Sequence, residues 1–192
     1  MIKSRHMRRS ALDMWKGNVM EPLIHFIVPF IALTLVGGNV KKAFPISLLA
    51  LLPDFDALFL VHRSLSHSII VMLTVAVPIA LLTYKLKPRL LNYVILASLA
   101  VASHLILDLF AGYTPILWPL STYSFWIKTE LAVRIGSSIV LNPSVKLLAE
   151  PTLFKHLPSL DAPLFTGEGM IISAVLLIPL LFKRFIERWL QS

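Results

Sequence analysis

Seven side chains in this sequence carry the chemistry worth asking about: His25, Asp54, Asp56, His62, His67, His104 and Asp108. They offer imidazole nitrogen and carboxylate oxygen. The chain has no cysteine, which excludes disulfides, thiolate metal sites and a cysteine nucleophile. Nitrogen and oxygen donors without sulfur suit a divalent transition metal, zinc foremost, with manganese, iron or nickel as alternatives. All seven are candidate metal ligands, more than one tetrahedral site needs, so one or two ions could be held, with an aspartate bridging in the second case. Such a site would activate water and clamp the oxygens of an in-line displacement at phosphorus. Asp54 or Asp56 could instead serve as a general base or orient a histidine. Arg63, just after His62, is a candidate for holding an anionic oxygen such as phosphate. The candidate catalytic residues are therefore Asp54, Asp56 and Arg63.

These polar groups lie in an apolar setting. Hydrophobic types make up 57% of the 192 residues and charged types 15%, against about 45–50% and 25% in soluble domains. Charge-free or nearly charge-free runs cover Pro22–Val40, Ser68–Tyr84 and Leu90–Phe110, the last broken only by Asp108. Another, Ala43–Val61, is interrupted by Pro53, Asp54 and Asp56, and a shorter one covers Gly169–Phe182. A membrane-crossing helix needs about 20 such residues. The net charge of +8 comes mostly from short basic clusters between the runs, such as Lys41–Lys42 and Lys85, Lys87 and Arg89. That placement suits lipid headgroups, and no nucleic-acid-binding pattern accompanies it. The expected fold is all-α: a single multi-pass membrane bundle of four to five helices. The proline-rich, aromatic segment 111–168 is expected at the interface, and strands are not expected, because an open sheet edge is costly in lipid.

Carboxylates in a spanning helix must be offset. Asp54 and Asp56, if deep and unpaired, would cost on the order of 5–7 kcal/mol. If the first four runs all span, alternating directions bring His25, Asp54, Asp56, His62, His67, His104 and Asp108 toward one membrane face. His104 and Asp108 are four residues apart and share a helix face. Asp54 and Asp56 would point the same way only in an extended or kinked segment, which Pro53 favours. His62 and His67 are expected to flank a turn, with Ser66 as a candidate cap for the following helix. Each residue also has a structural reading, as a cap, a snorkelling interface group or a hydrogen-bonded helix pair.

The order of these residues is familiar. An early His25, then Pro53-Asp54-Phe55-Asp56, then HRSLSHS at 62–68, then HLILD at 104–108 and LWPLS at 117–121 resembles the YdjM/YbcI-type family of membrane-bound metal-dependent hydrolases. Ser64 and Ser66 stand where glycine and threonine are expected in that pattern. The resemblance implies a multi-pass protein of the cell inner membrane with a metal-dependent hydrolase activity. The His and Asp order is also similar, more distantly, to zinc-dependent phospholipase C and single-strand-specific zinc nucleases, which implies a phosphoester or lipid-linked substrate. Membrane lipids are the expected surroundings and nucleic acid is not an expected partner. A divalent-cation or proton transporter using the same cluster is the alternative.

Overall fold

The computed structural model describes residues 22–61, 63–135, 139–154 and 166–191. His62, the basic segment 1–21, and His156 with the residues around it lie outside them. Helix α1, Pro22–Leu35, is followed by α2, Val40–Leu48, and an eleven-residue 3-10 segment, Leu49–Phe59. A single 3-10 turn, Leu65–His67, leads into α3, Ile69–Leu86. Helix α4, Leu91–Ala111, follows a 3-10 turn at Pro88–Leu90. Strands β1, Tyr123–Ile135, and β2, Ile139–Pro151, form an antiparallel hairpin, and α5, Gly167–Gln191, closes the described chain.

Among the described residues two helices are long and apolar enough to cross a membrane, Ile69–Leu86 and Pro88–Ala111; Pro22–Leu35 is apolar but shorter. No residue of helix α3 is fully buried within the chain; one face, with Met72 and Ala76 half-buried, packs toward α4, and the rest of its apolar surface is exposed. The Ala43–Val61 run, expected as a span, is not one helix. Pro45 and Pro53 each lack an N–H donor, and beyond Leu48 the chain tightens into the 3-10 segment. That segment ends with Leu60 in the left-handed conformation.

The hairpin corrects the all-α expectation. Within residues 123–135 the apolar Tyr123, Phe125, Ile127, Leu131 and Val133 fall at odd positions and the polar Ser124, Lys128 and Glu130 at even ones, which is the strand period. The lipid objection applies to hydrocarbon, whereas this hairpin carries Lys128, Glu130 and Lys146, with Lys128 paired to Glu130 at 2.6 Å. Pro143 is tolerated because each strand of a two-stranded sheet has an open edge. A bridge between Thr114 and Phe125 ties the hairpin to the chain leaving α4.

Small residues bring the elements together. Ala50 and Ala100 are buried with Ile46, and Leu33 and Leu96 pack against them, so the 3-10 segment approaches α4 closely. Lys183 Nζ of α5 donates to the carbonyls of Thr34 and Leu35, at 3.3 and 3.0 Å. A cation thus meets the orphan carbonyls at the end of α1.

Candidate metal centre

Helix α4 supplies two donors. His104 and Asp108, one turn apart, are both buried, and His104 Nε2 lies 3.3 Å from Asp108 Oδ2. The third donor comes from the 3-10 turn before α3. His67 is fully buried; its Nε2 lies 3.0 Å from Asp108 Oδ2 and 3.3 Å from His104 Nε2. The fourth comes from the 3-10 segment: Asp54 Oδ1 is 3.6 Å from His67 Nε2 and 3.4 Å from His104 Nε2. The four ligand atoms all lie within 4.8 Å of one another.

These separations fit a metal. A tetrahedron with arms of about 2.0–2.1 Å has edges of roughly 3.3–3.4 Å, and the five distances just given scatter around that value. Asp108 Oδ2 is buried, yet no hydrogen bond of acceptable geometry reaches it. His67 Nε2 and His104 Nε2 lie within hydrogen-bond distance of each other, and a carboxylate oxygen of Asp54 and one of Asp108 face both, so two imidazole nitrogens and two carboxylate oxygens meet at one largely buried point. Asp54, His67, His104 and Asp108 could bind a metal ion.

The surrounding groups hold these four in place. Asp56 Oδ2 lies 3.2 Å from His67 Nδ1 and accepts from Ser64 N at 2.7 Å and Ser66 Oγ at 3.0 Å. Arg63 Nη2 donates to Asp108 Oδ1 at 3.1 Å, and Nη1 donates to the Tyr113 carbonyl at 3.4 Å. Gly112 is part of this arrangement, because a β-carbon there would collide with the Arg63 guanidinium. His25, on α1, is buried, stacks on His104 with ring centroids 3.9 Å apart, and puts Nε2 3.6 Å from Asp108 Oδ1. Burial disfavours charge on His67. The carboxylates of Asp108, Asp54 and Asp56 outweigh that and hold its pKa well above the usual imidazole value. Burial likewise works against Asp56, but the hydrogen bond and charge of His67 and the hydrogen bonds from Ser64 keep its carboxyl below the usual range.

Several expectations are refined. Asp54 and Asp56 both reach the His67 ring from the 3-10 segment, Asp54 at Nε2 and Asp56 at Nδ1. Asp56 is therefore a support for His67 and not one of the four grouped donors. Arg63, expected to meet an anionic substrate oxygen, holds the Asp108 carboxylate. Ser68, not Ser66, caps α3, accepting from Ile70 N and Val71 N. Ser68 also donates to the Trp118 carbonyl, and Ile69 N donates to the Ile116 carbonyl. The LWPLS stretch thereby packs on the start of α3 beside His67. Two supporting features escaped the sequence reading: Gly112, whose signal was a glycine one turn beyond Asp108, and the backbone carbonyls of 116–118, which have none.

Comparison with known families places this arrangement. The model of the YdjM inner membrane protein family matches residues 20–186. The chain belongs to the YdjM family of inner membrane proteins. The match takes in all seven candidate ligands, the hairpin and most of α5. No curated protein and no solved structure matches the chain.

Proposed function

We propose that this YdjM-family protein is a membrane-embedded, metal-dependent hydrolase of phosphoesters, with zinc as the natural ion for its donors. The observation that carries the reading is the 3.0–3.6 Å spacing of His67 Nε2 and His104 Nε2 from each other and from Asp54 Oδ1 and Asp108 Oδ2. Two imidazoles and two carboxylates suit zinc, and their convergence on one point suits one ion. A divalent ion held there would polarise a phosphoryl oxygen and lower the pKa of water.

The protein's own groups then divide the work. Arg63 neutralises Asp108 and keeps it aimed at the cluster. Asp56 holds the His67 proton on Nδ1, so the Nε2 lone pair faces the other donors. Asp54 is the most exposed of the four, with 23% of its side chain accessible, so it is the donor that would give up its place to incoming water and accept that water's proton, with His67, His104 and Asp108 still holding the ion. Water oxygen adds to phosphorus, the bond from phosphorus to the leaving oxygen breaks, and the alcohol departs with the proton that Asp54 took up.

The test is metal analysis of protein purified in detergent, with a panel of phosphate mono- and diesters. About one zinc per chain is expected, lost in His104→Ala and Asp54→Ala, with ester hydrolysis lost on chelation. Full metal content in both variants would sink the reading. Metal flux into liposomes with no ester hydrolysed would favour the transporter.

A further inference from the structure

A cavity of about 330 Å³ lies between α3, α4 and the 3-10 segment. Its walls are apolar: Leu52 from the 3-10 segment, Val75 and Ile79 from α3, and Val94, Ala97 and Val101 from α4. One end is bounded by Pro53 and Ser66, the chain neighbours of Asp54 and His67. From there it follows α3 outward as far as Ile79 and α4 back to Val94, so both walls lead away from the His/Asp cluster. Most of these walls belong to the two helices long and apolar enough to cross a membrane, so their insertion would set the cavity at hydrocarbon depth.

Its two hydroxyls are committed elsewhere. Ser98 Oγ donates to the Val94 carbonyl at 2.9 Å, and Ser66 Oγ donates to Asp56. A polar occupant would find no partner along the walls, and burying it there would be costly. An apolar chain meets no such penalty. The stretch from Val71 to Ile79 rises about 12 Å. An extended hydrocarbon with bonds of about 1.5 Å covers that with roughly ten carbons.

We propose that this groove seats the single apolar chain of a lipid phosphate ester whose headgroup reaches the Asp54–His67–His104–Asp108 cluster. The proposal rests on the hydrolase reading and names its substrate class: an amphiphile entering sideways from the bilayer, with the cluster at the polar end of the groove and the chain pointing toward Ile79 and Val94.

The test uses zinc-loaded full-length protein in phosphatidylcholine nanodiscs. The probes are butyl, octyl and dodecyl phosphate, with a dodecyl phosphate carrying a photoreactive diazirine near its chain end. Photolabelling should concentrate on Val75, Ala76, Ile79, Val94, Ala97 and Ser98, and kcat/KM for phosphate release should rise about tenfold or more from butyl to dodecyl. Ala97→Phe fills the groove and should lower both labelling and dodecyl turnover at least about tenfold while keeping its zinc. Ala76→Phe, on the facing wall, tests the same point if the first variant folds poorly. Val77→Phe, outside the groove, should change neither.

Labelling spread evenly over the outward residues Leu73, Val77 and Leu81 would overturn the proposal. So would butyl and dodecyl phosphate being hydrolysed equally, with no effect of Ala97→Phe; the hydrolase reading would then survive. Groove labelling with no phosphate released from any ester would keep the chain seat and remove the hydrolase.

Discussion

Asp56 stands behind His67, its Oδ2 3.2 Å from the ring's Nδ1, while Nε2 faces the other donors. The carboxylate sets which nitrogen is free to bind. Outer partners of this kind typically change metal affinity 10–100-fold when removed. Asp56→Asn should therefore weaken zinc binding by about that factor without changing the stoichiometry at saturation, whereas Asp108→Ala should abolish stoichiometric binding. Competition titration against a zinc chelator distinguishes the two. Equal losses in both would make Asp56 a ligand.

The raised pKa of His67 predicts a pH dependence with opposite signs for two states. In metal-free protein, a folded pKa above the ordinary 6.5 contributes stability that is fully present below pH 6.5 and is lost as pH rises through the folded value. Metal needs the neutral ring, so binding expels that proton. The melting temperature in chelator should fall as pH is raised above 6.5, while zinc affinity rises. Calorimetry in two buffers of different ionisation heat should report a released proton. A metal-free protein that gains stability toward alkaline pH would contradict this.

Arg63 balances the charge of Asp108. With the guanidinium removed, a carboxylate with only 3% of its side chain exposed loses its cation. Arg63→Met should cost the metal-free protein about 3 kcal/mol, and zinc should restore part of the loss. Gly112→Ala should act in the same direction but more weakly, by pushing the guanidinium aside. Thermal melts with and without zinc give both numbers. No difference between wild type and Arg63→Met would show that the pair is dispensable.

Ser68 caps α3 and is fully buried against the carbonyls of 116–118. Ser68→Ala should cost about 1–2 kcal/mol and lower the melting temperature by several degrees. Zinc stoichiometry should be retained, because His67 keeps Asp56. Loss of metal together with the cap would show that the LWPLS contact also sets the position of His67.

Much of the centre was legible before any coordinates. The i,i+4 spacing of His104 and Asp108 is a helix property and held. The cost of placing Asp54 and Asp56 in an apolar run required partners, and both have them. The hairpin's alternation is plain at Phe125, Ile127 and Leu131 against Ser124, Lys128 and Glu130, and the lipid objection to strands does not reach a segment that carries this charge. The Ala43–Val61 run is not one helix, because the α-helix stops at Leu48 and the chain goes on as a 3-10 segment around Pro53, which has no N–H to donate.

The sequence by itself determined the apolar character of the chain, the donor types, the absence of sulfur and the family motifs. These depend on composition and on spacings within one element, which local geometry converts directly into position. Only the tertiary structure decided which aspartates join the histidines, that Arg63 turns to Asp108, and that an apolar groove lies between α3 and α4. Those relations join residues tens of positions apart, and their distances are set by how closely Ala50 and Ala100 let the elements approach, which no local spacing records.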